Sequence, residues 1–88
     1  MKTSFRKSFT RDLKKTKDRD VLERVREAIL EVEQAATLQE ISNLKKMSGT
    51  ADCFRIRIGD FRLGLIVEEE KVEFVRCLHR RDLYRFFP

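Results

Sequence analysis

Cys53-Phe54-Arg55-Ile56-Arg57-Ile58-Gly59-Asp60-Phe61-Arg62-Leu63-Gly64-Leu65-Ile66-Val67 is the stretch that decides the fold. Its apolar residues recur at every second position, the period of a strand with one buried face. Phe54, Ile56 and Ile58 point one way, and Cys53, Arg55 and Arg57 the other. Gly59-Asp60 puts glycine first in a two-residue turn, as a type II′ hairpin requires. Phe61, Leu63 and Leu65 then share one face, and Arg62, Gly64 and Ile66 share the opposite one. With the residues that flank the turn paired directly, Ile58 meets Phe61 and Arg57 meets Arg62. Arg55 meets Gly64, where a missing side chain leaves room. Three guanidinium groups thus converge on one face of one hairpin.

Like charges directly opposite one another destabilise a sheet. This pairing costs stability unless an anion lies between the arginines or nearby acids neutralise them. The acids in reach are Asp52, Asp60 and Glu68-Glu69-Glu70, and they lie at turns while the arginines lie in mid-strand. That placement favours an anion. A guanidinium fork matches two phosphate oxygens at once, so phosphate is the anion that fits.

Downstream of the hairpin, Glu68 to Lys71 reads as a second turn and Val72 to Leu78 as a strand. The facing of this strand is ambiguous. Val72, Phe74 and Leu78 share a parity with Arg76, whereas Val75 and Cys77 share one with Glu73 and His79. His79-Arg80-Arg81-Asp82-Leu83-Tyr84 follows, and it holds the only histidine and the only tyrosine of the chain. Asp82 to Phe87 reads as a helical turn or an extended tail. Its aromatics Tyr84, Phe86 and Phe87 either seal an edge of the core or form a partner-binding patch.

Upstream, residues 2–8 alternate around Phe5 and read as a first strand. Thr10 to Lys17 reads as a short helix with Thr10 as N-cap. Asp20 to Ala36 is the clearest helix: Asp20 caps it, and Val21, Val25, Ala28, Ile29 and Val32 form one apolar stripe. Thr37-Leu38-Gln39-Glu40 is a capping-box pattern that starts a short helix through Leu44. Lys45-Lys46-Met47-Ser48-Gly49-Thr50 reads as a loop. The first 19 residues hold eight lysines and arginines against two acids, either a nucleic-acid contact or a solvated face.

The totals agree with this reading. At 88 residues the chain makes one domain with one modest core. Its net charge of +5 favours a polyanionic or acidic partner. No run of 18 apolar residues is present, so no membrane association is expected. Met1 to Lys7 does not read as a secretory signal. Cys53 and Cys77 are therefore expected to be reduced, buried residues of a cytoplasmic protein. The metal ligands are too few for a site, and no cofactor is expected.

The residues able to do chemistry are Arg55, Arg57, Arg62, His79, Arg80, Arg81 and Tyr84. A Cys77–His79 nucleophile pair lacks an orienting third group. If the bound phosphate is a scissile RNA linkage, the 2′-hydroxyl attacks the adjacent phosphorus. His79 can serve there as base or acid. Tyr84 can orient, donate, or stack on a base. The arginines stabilise the extra charge of the transition state. The plainer alternative for His79 is an ordinary histidine with satisfied hydrogen bonds.

Cys53 to Arg62, then a strand, then His79 to Tyr84, resembles the RelE/ParE superfamily of bacterial toxin proteins. The upstream order of strand, two helices and a Lys-Lys-Met loop is similar too. The resemblance spans nearly the whole chain and is strongest from Leu44 to Tyr84. It implies a single α+β domain over residues 1–88. The expected sheet is twisted and mainly antiparallel, with about four strands and two or three helices of the N-terminal half on one face. It implies a toxin of a two-gene toxin–antitoxin module, held by a cognate antitoxin in a hetero-oligomer. RelE-type members enter the ribosomal A site and cleave translated mRNA without metal. Their catalytic positions match Arg55, Arg57, Arg62 and Arg80, with Arg81 as a second alignment, and Tyr84 or His79. Lys45, Lys46 and Arg81 are the further RNA contacts the resemblance implies. ParE-type members lack that set and poison DNA gyrase. Some RelE relatives carry lysine where Arg55 and Arg57 stand. Arginine stays protonated, so the general base would shift to His79 or to another group.

Overall fold

The computed structural model describes all 88 residues. The chain runs β1 (Lys2–Phe5), α1 (Lys7–Lys15), α2 (Arg19–Gln34), a 3-10 turn (Leu38–Glu40) and β2 (Leu44–Lys46). It continues through β3 (Cys53–Ile58), β4 (Phe61–Glu68), β5 (Lys71–His79) and α3 (Leu83–Phe86). The sheet has five strands in the order β1-β5-β4-β3-β2. Only β1 against β5 is parallel, so the sheet is mainly antiparallel, as expected.

The fifth strand corrects the expected four. Leu44–Lys46 pairs antiparallel with β3, where a helix end and a loop were expected. Three residues are too few to show a period of two. The capping box just before them forms, with Glu40 accepting from the Thr37 backbone N–H, but supports only the single 3-10 turn. Asn43 then takes a positive φ of 62° and redirects the chain into β2. Asparagine tolerates this left-handed conformation better than most residues.

Two helix starts also differ from expectation. β1 ends at Phe5 and α1 begins at Lys7, with Arg6 rather than Thr10 at its N-cap position. Asp18, not Asp20, caps α2: its carboxylate accepts from the backbone N–H groups of Asp20 and Val21. The apolar stripe of α2 lands where its spacing predicts. Val21, Val25 and Val32 are buried, and Ala28 and Ile29 pack beside them.

The sheet separates two cores. On one face, α1 and α2 bury Phe9, Val25 and Val32 against Ile56, Ile58, Leu63, Leu65, Val72 and Phe74. On the other face, Met47, Cys53, Val75, Leu83 and Phe87 form a smaller cluster. The third helix thus lies across the sheet from the other two. The final segment is a helical turn plus a tail whose Phe87 seals this second core, while Tyr84 and Phe86 stay exposed. Both cysteines are free and buried. No helix is long and apolar enough to cross a membrane.

A bulge in β5 resolves its ambiguous facing. Gly64 pairs with Arg76 and Leu65 pairs with Phe74, so Val75 is an extra residue. Before the bulge, Val72 and Phe74 face the large core. After it, Cys77 does. Val75 turns to the small core instead. One inserted residue inverts the parity, which is why neither alternation describes the whole strand.

Candidate functional site: a cationic sheet face

The β3–β4 hairpin adopts the expected register. Ile58 pairs with Phe61, Arg57 with Arg62, and Arg55 with Gly64. Gly59 has a φ of 55° at the first turn position, a conformation that glycine adopts without a Cβ penalty. Arg55, Arg57 and Arg62 therefore share the face opposite α1 and α2. β2 extends the row: Lys45 pairs with Arg55, so a cation from each strand lies side by side on the same face. A shallow hollow of about 250 Å³ lies among Asn43, Leu44, Lys45, Arg55 and Arg57. Lys46 pairs with Phe54 and so points to the other face.

No carboxylate neutralises this cluster. The structure has three ion pairs: Arg6–Glu73, Arg76–Asp12 and a long, exposed Arg80–Asp60 contact at 3.9 Å. Arg55, Arg57 and Arg62 are in none of them. Arg62 bends back so that its guanidinium donates to the carbonyls of Gly59 and Phe61, at 2.7 and 2.9 Å. Partial burial, and then the charges of Arg55 and Arg57, lower the pKa of Arg62 below its ordinary value. Arg80 adds to that effect, and Tyr84 opposes it. These five side chains therefore occupy one electrostatic neighbourhood, in which an added anion would relieve mutual repulsion.

His79 lies elsewhere. It pairs with Phe61, whose side chain belongs to the helix-covered face, and its ring meets the Phe61 ring edge-on at 5.8 Å. Its Nδ1 accepts from the backbone N–H and the Nε–H of Arg81, at 3.2 and 3.3 Å. The Nδ1 of His79 is thereby occupied in forming the turn into α3. The hollow beside His79, about 330 Å³, is lined by Lys15, Lys17, Asp18 and Phe61 rather than by the arginines. Burial and the nearby Asp12 push the Cys77 thiol up to about 12, so it stays protonated at neutral pH. A Cys77–His79 nucleophile has no thiolate to use.

Arg76 faces the cationic side, opposite Gly64, but is fully engaged. Its guanidinium donates twice to the buried carboxylate of Asp12, which also accepts from the Cys77 backbone N–H. The guanidinium sits 5.9 Å from the Phe86 ring centre. Asp12 was not singled out in the sequence, although a signal was there: it is the one acid from Lys7 to Lys17, at the spacing of Phe9 and Leu13. On the same face, Phe87 packs over Gly64 so closely that a Cβ there would lie 2.8 Å from its ring. Gly64 thus opens room for Phe87, which follows the helical turn that carries Tyr84.

Fold and site define a small α+β domain with an unneutralised cationic sheet face. The model of the family described as "ParE toxin of type II toxin-antitoxin system, parDE" matches residues 4–84. Toxin RelE3 of Methanocaldococcus jannaschii is 34% identical over 89 residues, covering 100% of both chains. A crystal structure of the RelB-RelE antitoxin-toxin complex from Methanococcus jannaschii superposes with a TM-score of 0.82 at 32% identity, over 97% of this chain and 99% of that one. An archaeal RelE-RelB complex from Pyrococcus horikoshii OT3 matches in fold, with a TM-score of 0.72 at 20% identity, over 90% and 93% of the two chains. The chain belongs to the RelE/ParE superfamily and is a RelE-like toxin of a type II toxin–antitoxin system.

Proposed function

We propose that this toxin is a cytoplasmic, ribosome-dependent mRNA endonuclease. The observation that carries the proposal is the direct pairing of Arg57 with Arg62, beside Arg55 and Lys45, with no carboxylate between them. Such a like-charge pair costs the sheet stability, a cost that an anionic ligand between the two would offset. A phosphodiester held in A-site geometry is that ligand. The 2′-oxygen bonds to phosphorus, the bond to the 5′-oxygen breaks, and a cyclic phosphate and a 5′-hydroxyl result. The 2′-hydroxyl gives its proton to solvent water, and water in turn protonates the departing 5′-oxygen, so the arginine face supplies charge stabilisation and not the base. Arg55, Arg57, Arg62 and Arg80 stabilise the phosphorane-like charge, which is worth about 2.7–4 kcal/mol per well-placed donor. Tyr84, exposed on α3 beside Arg62, positions the nucleotide by stacking or by its hydroxyl. Lys45 holds the strand backbone. Lys46 and Arg81, which face other directions, contribute only long-range attraction. His79 is assigned to the turn rather than to proton transfer.

The partner is a cognate antitoxin, by analogy with the RelB bound in the related complexes. An acidic segment that folds over the cationic face would neutralise it, forming a hetero-oligomer. The test is primer extension on programmed ribosomes with the wild type and Arg62→Ala. A metal-independent stop within the A-site codon, lost at least 100-fold in the variant, is the expected result. A second reading, inhibition of DNA gyrase, has the family model's ParE description behind it. It predicts blocked supercoiling and uncut mRNA in the same preparations.

A further inference from the structure

α1 carries a second cationic surface, away from the arginine face. Lys7, Arg11 and Lys14 recur at steps of four and three residues and are all exposed, with Lys15 at their flank. That spacing places the three on one stripe. The opposite side of the helix holds Phe9 and Asp12, which are buried. The two acids of the basic N-terminal segment are withdrawn from this stripe. Asp12 is locked to Arg76 and the Cys77 N–H, and Asp18 caps α2. None of the four cations makes an ion pair. Glu73 at the start of the helix is taken by Arg6.

We propose that this stripe is a docking surface for the phosphate backbone of double-helical RNA. Seven residues of α-helix span about 10 Å. The same length of duplex axis carries about six phosphates, a charge density that protein surfaces seldom match. A membrane surface fits poorly, because an interfacial helix needs a free apolar face and Phe9 and Leu13 of α1 are packed in the core. The stripe would therefore seat the toxin on structured RNA while the opposite sheet face handles a single strand. The choice of RNA over DNA rests on the proposed ribosomal action.

The test compares the full-length wild type, the triple variant Lys7→Gln/Arg11→Gln/Lys14→Gln, and Arg57→Thr. Binding to a 20-base-pair RNA duplex is measured across a salt series, with polyglutamate and phosphatidylserine vesicles as rival probes. The triple variant is expected to lower the salt slope on the duplex by about 2–3, close to 0.9 per lost phosphate contact. Arg57→Thr is expected to leave most of that slope in place. Circular dichroism of each variant verifies folding, and all three changed positions of the triple variant are exposed. An unchanged slope in the folded triple variant would overturn the inference. So would a loss seen only on polyglutamate or only on vesicles. Cleavage is scored separately on programmed ribosomes. A wild type that binds the duplex through α1 yet cuts no mRNA overturns the nuclease alone.

Discussion

At the scale of single residues, two positions carry opposed demands of stability and function. Arg57 is exposed and faces Arg62 across the hairpin, with no ion-pair partner. Arg57→Thr removes the like-charge pair and adds a good strand former. Urea unfolding should show it more stable by about 0.2–1 kcal/mol, while ribosomal cleavage falls. A rise in both would separate the arginine from the chemistry. Gly64 presents the reverse case. A methyl group there would lie 2.8–3.0 Å from three atoms of the Phe87 ring. Gly64→Ala should cost about 1–3 kcal/mol through overpacking and displace Phe87, which follows the helical turn that carries Tyr84. A cost below 0.5 kcal/mol would show that the tail yields without strain.

At the scale of elements, α1 completes the sheet as well as covering it. β1 pairs with β5 only as far as Phe74, which leaves the rest of the β5 edge open. The Ser8 hydroxyl donates to the Val75 carbonyl and Asp12 accepts from the Cys77 N–H, one helical turn apart. Two side chains at i and i+4 thus replace a missing strand and blunt an edge that would otherwise invite pairing. Asp12→Ala strips the Cys77 N–H and Arg76 of their acceptor, and should cost about 2–4 kcal/mol in denaturant unfolding. The turn before β2 makes a subtler contribution. Backbone donors at Thr37 and then Ala36 hold the Glu40 carboxyl below its ordinary value of 4.5. A depressed acid stabilises the fold above its unfolded pKa, and that contribution disappears as pH falls through the folded value. Urea midpoints of the wild type and Glu40→Gln should therefore differ at pH 6 and converge as the pH drops below 4. A constant difference would assign the effect to packing instead of charge.

At the scale of the whole molecule, charge is segregated rather than averaged. The net charge of +5 hides two cationic surfaces, on the sheet face and on α1, while the acids cap helices, line turns or pair with particular arginines. Binding of an anion only to the folded state raises stability by about 1.4 kcal/mol at ten times its Kd. Phosphate should thus raise Tm by several degrees over chloride at equal ionic strength, on the order of 4–8 °C per kcal/mol for a domain of this size. Arg57→Thr should abolish most of that rise. An equal rise in the variant would mean general salt exclusion and not a site.

The hairpin was legible in the chain alone, down to its register, because a two-residue turn leaves adjacent strands no freedom to slip. The stripe of α2 was legible for a similar local reason, since 3.6-residue periodicity needs no knowledge of what the helix packs against. With them came the convergence of Arg55, Arg57 and Arg62 on one face. β2 was hidden because three residues carry no period, and only pairing with β3 makes them a strand. The facing of β5 depended on the bulge at Val75, which inverts parity with no glycine or proline in β5 itself, the one glycine at the shift being Gly64 of the facing strand. That inversion, a tertiary event, set His79 on the helix side and left Arg80 and Tyr84 with the arginines. Sequence determined which residues carry the charge; the accumulated packing of strand against strand decided which of them meet.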